Sequence, residues 1–195
     1  MFFDKQNENF LVDGMVDIGA GNAPTFFDYN ADGLLDIVMG SFGKCNNGIS
    51  YGQLYLYQNI GNPSQPAYQL IDKNYLSTDS LTIGYLHPTF GDLDGDGDID
   101  LLLGQTDGSL LYFENLAGAT APALFAVPQR NYAMIDVGLE SAPQLIDLDR
   151  DTDLDIIIGS NNGRNYYFEN TGSVNAAIFS STPSSNTFTG LDLNT

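Results

Sequence analysis

Phe90-Gly91-Asp92-Leu93-Asp94-Gly95-Asp96-Gly97-Asp98-Ile99-Asp100, with Leu101-Leu102-Leu103-Gly104 directly behind it, decides how the rest of the chain is read. Carboxylates stand at every second position from Asp92 to Asp100, and an apolar run begins as soon as they stop. Like charges so close repel: at ~4 Å and an effective dielectric near 20, each pair costs on the order of 4 kcal/mol before salt screening. A hard, oxygen-seeking divalent cation neutralises such a set best, and calcium is the natural reading. Gly95 and Gly97 let the backbone fold back so that alternate side chains face one centre.

The pattern recurs. Asp28-Tyr29-Asn30-Ala31-Asp32-Gly33-Leu34-Leu35-Asp36 precedes Ile37-Val38-Met39-Gly40, and Asp147-Leu148-Asp149-Arg150-Asp151-Thr152-Asp153-Leu154-Asp155 precedes Ile156-Ile157-Ile158-Gly159. Oxygen-bearing side chains hold loop positions 1, 3, 5 and 9 in all three, and a glycine closes each apolar run. Position 7 is Leu34, Asp98 or Asp153, so that position can serve through its main-chain carbonyl. Solvated acidic turns alone would not require a threefold spacing with strands in fixed register.

Asp28 to Asp92 is 64 residues and Asp92 to Asp147 is 55. An insertion around 42–49 accounts for most of the difference, so the chain holds three copies of one unit. Each unit opens with a short strand at 23–27, 87–90 or 142–146. The acidic loop follows, then an aliphatic strand such as 154–158 suited to burial on both faces. Asp107-Gly108 and Asn162-Gly163 carry the residue chemistry of a two-residue hairpin turn. Aromatic third strands follow at 54–58, 110–114 and 166–169, ending in Asn59, Asn115 and Asn170. A variable fourth region closes the unit, as in 123–127 leading to 134–138. No segment carries a helical period.

The expected fold is all-β: three tandem four-stranded antiparallel β-propeller blades. Residues 1–19 read as tail strands of a preceding blade, 20–83 as blade 1, 84–137 as blade 2 and 138–195 as blade 3. Three blades cannot close a ring. The expectation is therefore a partial propeller, part of a larger one, or a ring completed by oligomerisation, with open edges available for self-association.

Of the 21 aspartates, 13 sit in the three loops, so the formal charge of −19 is largely local ligand chemistry. Three calcium ions would bring it to −13. With six Lys and Arg, nucleic acid is disfavoured as a partner. Cys45 is the single cysteine, so no internal disulfide forms. No apolar stretch is long enough for membrane insertion, and no signal peptide is read at the N-terminus.

The triple loop resembles the FG-GAP/VCBS repeat family, found in integrin α propellers and in many secreted bacterial proteins. Phe90-Gly91 supplies the "FG", while Gly40-Ser41-Phe42, Gly104-Gln105-Thr106 and Gly159-Ser160-Asn161 replace the "GAP", which places the chain nearer the bacterial branch. The resemblance implies one calcium ion per loop, bound by side chains at positions 1, 3, 5 and 9 and by the carbonyl at 7. The first site would be Asp28, Asn30, Asp32, Leu34 and Asp36. The second would be Asp92, Asp94, Asp96, Asp98 and Asp100. The third would be Asp147, Asp149, Asp151, Asp153 and Asp155, with Thr152 in place of the usual position-6 glycine, a departure that bears on that loop's geometry and affinity. EF-hands fit worse, because position 12 is Met39, Leu103 or Ile158 inside a strand.

His87, the single histidine, has no evident partner for base chemistry, and no nucleophile elbow, zinc spacing or phosphate loop is present. The expectation is a non-enzymatic, extracellular calcium-binding module for adhesion, protein–protein interaction or surface assembly, with 42–49 as its candidate contact loop. The alternative is a carbohydrate-binding propeller accompanying a polysaccharide-degrading enzyme, with Tyr51, Tyr55, Tyr57, Tyr112, Tyr166 and Tyr167 as a sugar platform.

Overall fold

The three aliphatic runs form the second strands of three antiparallel sheets in the computed structural model, which describes residues 18, 20–43, 45, 46, 48–81 and 84–184. The first unit contains β1 (Ala23–Phe27), β2 (Asp36–Ser41), the insertion's small hairpin β3 (Cys45–Asn46) and β4 (Ile49–Ser50), then β5 (Gln53–Asn59) and β6 (Tyr68–Asp72). Its sheet runs β1-β2-β5-β6. The second sheet consists of β7 (Leu86–Gly91), β8 (Asp100–Gln105), β9 (Leu110–Phe113) and β10 (Gln129–Arg130) in simple up-and-down order. The third contains β11 (Ala142–Ile146), β12 (Asp155–Gly159) and β13 (Asn165–Phe168). The fold is all-β, a partial propeller of blade-like sheets.

Two details differ from the sequence reading. The third sheet has three strands among the described residues, and the expected fourth region, 177–193, lies partly outside them. The Ser184 N–H already reaches the Tyr167 carbonyl at 2.8 Å, at the free edge of that sheet. The second sheet's fourth strand falls at Gln129–Arg130 rather than at 123–127. That earlier stretch meets the sheet through a single bridge, Asn115 to Phe125. The expected preceding-blade tail lies outside the described residues except for Ile18, which is buried against Ile37, Tyr55 and Tyr57.

The hairpin turns also depart from the two-residue form. Gly108 N–H donates to the Gln105 carbonyl and Gln105 N–H to the Ser109 carbonyl. Gly108 is at φ 89° while Asp107 is not left-handed. This is a three-residue loop with a glycine bulge, which suits the twist of the flanking strands equally well. Two short 3-10 segments, Tyr75–Ser80 and Tyr132–Met134, lie between sheets.

Alternation along the second strands sends side chains to both faces, and both are buried. Val38, Leu54 and Leu56 of the first sheet pack against Leu86, Leu101, Leu103, Leu111 and Phe113 of the second. The opposite face of the second sheet, with Leu102 and Leu110, packs on Ile156, Ile158 and Phe168 of the third, with Ile135 and Val137 between. The second sheet therefore uses one face for the neighbour before it and one for the neighbour after it.

The glycine that closes each apolar run explains how near the sheets approach. A Cβ at Gly40 would overlap the Leu86 carbonyl, and one at Gly104 would overlap the Ser141 carbonyl. Gly159, in the third sheet, would meet only the Asn165 side chain at 3.5 Å. Ser141 locks the second junction: its buried hydroxyl accepts from Gln105 N–H and donates to the Ser109 carbonyl, both at 2.8 Å. We predict that Gly104→Ala destabilises by about 1–3 kcal/mol in urea unfolding, through overpacking, while Gly159→Ala stays within about 0.5 kcal/mol of wild type. Equal effects at the two glycines would contradict this account of sheet spacing.

Candidate metal centres

Each acidic stretch is the hairpin loop joining a unit's first and second strands. Phe27, Gly91 and Ile146 pair in register with Asp36, Asp100 and Asp155, so all three loops are closed at the same point. Within them the chain turns sharply at positions 4 and 6. Ala31, Gly95 and Arg150 have φ of 58°, 73° and 70°, and Gly33, Gly97 and Thr152 have 84°, 92° and 85°. This repeated left-handed pair brings amides inward. Asp28 accepts from Asp32 and Gly33 N–H, Asp92 from Gly95 and Gly97 N–H, and Asp147 from Arg150 N–H.

Among the described residues Thr152 is the one β-branched side chain held in that region, a conformation costing such a residue of order 1–3 kcal/mol. Thr152→Gly is expected to raise stability by about 1 kcal/mol in chemical denaturation, less than the full strain because glycine also frees the unfolded chain. A loss of stability would show that the threonine side chain has a compensating contact.

Two groups of carboxylates converge. Asp92, Asp94 and Asp100 each place a ligand oxygen within 4.8 Å of the others, as do Asp147, Asp149 and Asp151. Asp96 and Asp155 stand outside these groups, and Asp28, Asp32 and Asp36 form no comparable group among the described residues. In the first loop Asn30 Nδ2 instead donates to Asp32 Oδ2 at 2.9 Å.

The electrostatics are one-sided. Burial raises the Asp94 carboxyl, and Asp96 and Asp92 raise it further. Burial pushes Asp100 up to about 6 against the pull of its amide partners. Asp153 is likewise pushed up to about 6, by burial and then by Asp151 and Asp155. The charges acting on these three carboxyls are all other carboxylates. A bound divalent cation would reverse the sign of that field.

Position 9 does more than face the loop centre. Asp36, Asp100 and Asp155 are almost fully buried. Each accepts the N–H of loop position 2 on one oxygen: Tyr29, Leu93 and Leu148, at 3.0–3.1 Å. The other oxygen accepts the N–H of the asparagine that ends the third strand: Asn59, Asn115 and Asn170, at 2.6–2.8 Å. Those asparagines then act as second clasps. Their Oδ1 atoms accept from Gly61 and Ala67, from Ala117 and Leu124, and from Gly172 and Ile178. Asn59 and Asn115 also donate to the position-8 carbonyls of Leu35 and Ile99. Sequence reasoning quoted these asparagines without giving them a role; their recurrence two residues past a buried aromatic was the available signal.

Position 7 also holds a surprise. The Asp98 and Asp153 side chains are buried, and in each the Oδ1 atom lacks a hydrogen-bond partner. Asp98 Oδ2 accepts the Gly118 N–H at 2.6 Å. The main-chain role expected at this position leaves that side-chain oxygen unaccounted for.

Residues 28–103 match the family model of the FG-GAP-like repeat. Over that span the chain is similar to an FG-GAP-like repeat. No curated protein and no solved structure gives a match. The matched span runs from the first loop to the aliphatic strand of the second unit. The third loop lies outside it but repeats the FG-GAP-like geometry, with the same left-handed pair, the same closing register and the same buried Asp–Asn clasp.

The donor set of these loops suits a hard cation: three convergent carboxylates in each of two loops, with further carboxylates beside them. Asp100 still has a free lone-pair direction on Oδ1 after its amide bond, so clasp and ligand are compatible roles. Four of the six tyrosines of the expected sugar platform are engaged elsewhere. Tyr55 and Tyr57 are buried, and Tyr112 and Tyr167 donate to Asp100 and Asp155 at 2.9 and 3.0 Å. His87 is half-buried beside Tyr85, with ring centroids 6.5 Å apart, and burial lowers its imidazole pKa.

Proposed function

We propose that this repeat module is a non-enzymatic, calcium-stabilised propeller segment that works outside the cell in adhesion, protein–protein interaction or surface assembly. The observation that carries the calcium reading is the convergence of Asp92, Asp94 and Asp100 in one loop and of Asp147, Asp149 and Asp151 in its repeat. In each loop the remaining expected ligands would complete the oxygen set: Asp96, the Asp98 carbonyl, Asp153 and Asp155, and in the first loop Asp28, Asn30, Asp32, Leu34 and Asp36. Extracellular modules fill weak calcium sites because calcium is plentiful there. No helix among the described residues is long and apolar enough to cross a membrane.

Gly159 supports the assembly half of the reading. Its counterparts Gly40 and Gly104 are glycine because the next sheet's backbone presses on them, whereas Gly159 has no sheet against it among the described residues. A further sheet, from another copy or another protein, fits that position. Sedimentation equilibrium in calcium tests it: the chain should associate above its monomer mass of 21.1 kDa, and Gly159→Ile should abolish association without changing the melt. A wild type that stays a monomer at every concentration would remove self-assembly from the proposal.

A further inference from the structure

Position 7 divides the three loops. It is Leu34 in the first, and Asp98 and Asp153 in the second and third, the two loops in which three carboxylates converge. Leu34 has only its main chain to offer a cation, whereas Asp98 and Asp153 bring carboxylates that are 3% and 5% exposed. In both, Oδ1 is buried and meets no hydrogen-bond donor. Leaving a buried charged acceptor unmet is costly. The same atom orphaned at the same loop position in two repeats is a property of the loop, not of one neighbour.

The surroundings of these carboxyls point to what is missing. Asp98 interacts side chain to side chain with Asp96, and Asp153 with Asp151, the position-5 carboxylates of their own loops. Asp94 bears on Asp98 as well, and Asp155 and Asp149 on Asp153. Asp94, Asp149 and Asp151 belong to the converging groups, so each orphaned carboxyl borders a candidate metal centre. The other oxygen of Asp98 is tied outside the loop, to the Gly118 N–H at 2.6 Å. Two carboxylates in contact need a positive charge between them; a water satisfies an acceptor without neutralising the pair. The first loop, with no carboxylate at position 7, meets its own crowding differently: the Asn30 amide donates to Asp32 at 2.9 Å. Calcium takes roughly 6–8 oxygens, so one from each of positions 1, 3, 5, 7 and 9 leaves room for a further donor.

We propose that Asp98 and Asp153 each give the cation of their loop a side-chain oxygen, Oδ1, in addition to the main-chain carbonyl that position 7 offers in all three loops. The inference rests on the calcium reading and deepens it: the second and third loops are richer in donors and in charge than the first, and fill at lower calcium. In the second loop the same carboxylate holds Gly118, so an ion on Oδ1 also fixes the turn that follows β9.

The test compares the full chain with Asp98→Asn and Asp153→Asn, by calorimetric titration with calcium chloride and by melting in EDTA and at saturating calcium. Asparagine keeps the shape and removes the charge, and in EDTA it should relieve the crowded carboxylates as Asn30 does in the first loop. Each variant should therefore melt at or above wild type in EDTA, yet gain less from calcium, with one site weakened at least tenfold. High ionic strength during the titration screens the through-space loss of one charge and leaves the loss of a ligand. A carboxylate with a purely structural role would lower melting equally in both buffers. A proton shared between positions 5 and 7 would let asparagine substitute with no calcium-dependent effect. Either result would overturn the assignment. The two loops are read separately, so a variant that does not fold leaves its counterpart to decide. Uptake that Asp94→Ala and Asp149→Ala reduce but both asparagine variants leave unchanged would overturn this inference and leave the calcium reading standing. A wild type that takes up no calcium would overturn both.

Discussion

In millimolar calcium the protein is expected to melt roughly 10–20 °C higher than in excess EDTA. The size follows from linkage. A site with Kd near 10 μM at millimolar calcium contributes about 2.7 kcal/mol, because only the folded loop gathers the carboxylates. Two such sites supply about 5 kcal/mol, and for a chain of this length each kcal/mol moves the midpoint by about 2–4 °C. The second and third loops, where three carboxylates converge, account for this increment, and the first loop adds to it more weakly. Differential scanning calorimetry with and without chelator measures the effect. An unchanged midpoint would mean that the loops close without an ion.

The second large effect is at Asp100. Asp100→Ala is expected to cost about 3–5 kcal/mol even in EDTA, where no metal contribution remains. Its carboxylate accepts from Leu93 N–H, Asn115 N–H and the Tyr112 hydroxyl in a fully buried position. Alanine strands those donors, each at about 1–3 kcal/mol, partly relieved by relaxation and by the loss of a raised-pKa carboxylate. Asp94→Ala is the informative comparison. Asp94 is only part-buried and accepts one weak amide bond, from Asp96 at 3.3 Å, so its loss should matter in calcium and little in EDTA. Urea unfolding of both variants in both buffers separates clasp from ligand. Equal losses in EDTA would erase the distinction.

Much of this was legible in the sequence because it depends on local chemistry that repeats. Alternating aspartates, glycines at turning positions and aliphatic runs closed by glycine recur at fixed spacing. The first strands 23–27 and 142–146 were placed to the residue, and the three-unit, all-β reading holds. The fourth strands were not legible. They are short, exposed and paired at a sheet edge, as at Gln129–Arg130, so burial leaves little pattern on them. The Asp107-Gly108 turn misled because the same dipeptide serves both two- and three-residue loops, and only Gly108 turned out left-handed.

At the site, residue types gave the loops but not the division of labour within them. Position 9 looked like one more ligand, and its clasp on Asn115 joins residues 15 apart across a strand hairpin, which loop spacing does not reveal. The buried side chain of Asp98 was hidden for a related reason: Leu34 at the equivalent position suggested that only the main chain mattered. The role of Gly159 becomes visible only beside Gly40 and Gly104 in their packed setting.

Calorimetric titration of metal-free protein with calcium tests the central claim most directly. The account predicts three ions per chain, two of them tighter than the third, with one tight site removed by Asp94→Ala and the other by Asp149→Ala. A chain that takes up no calcium at millimolar concentration, or whose uptake both substitutions leave untouched, would contradict it.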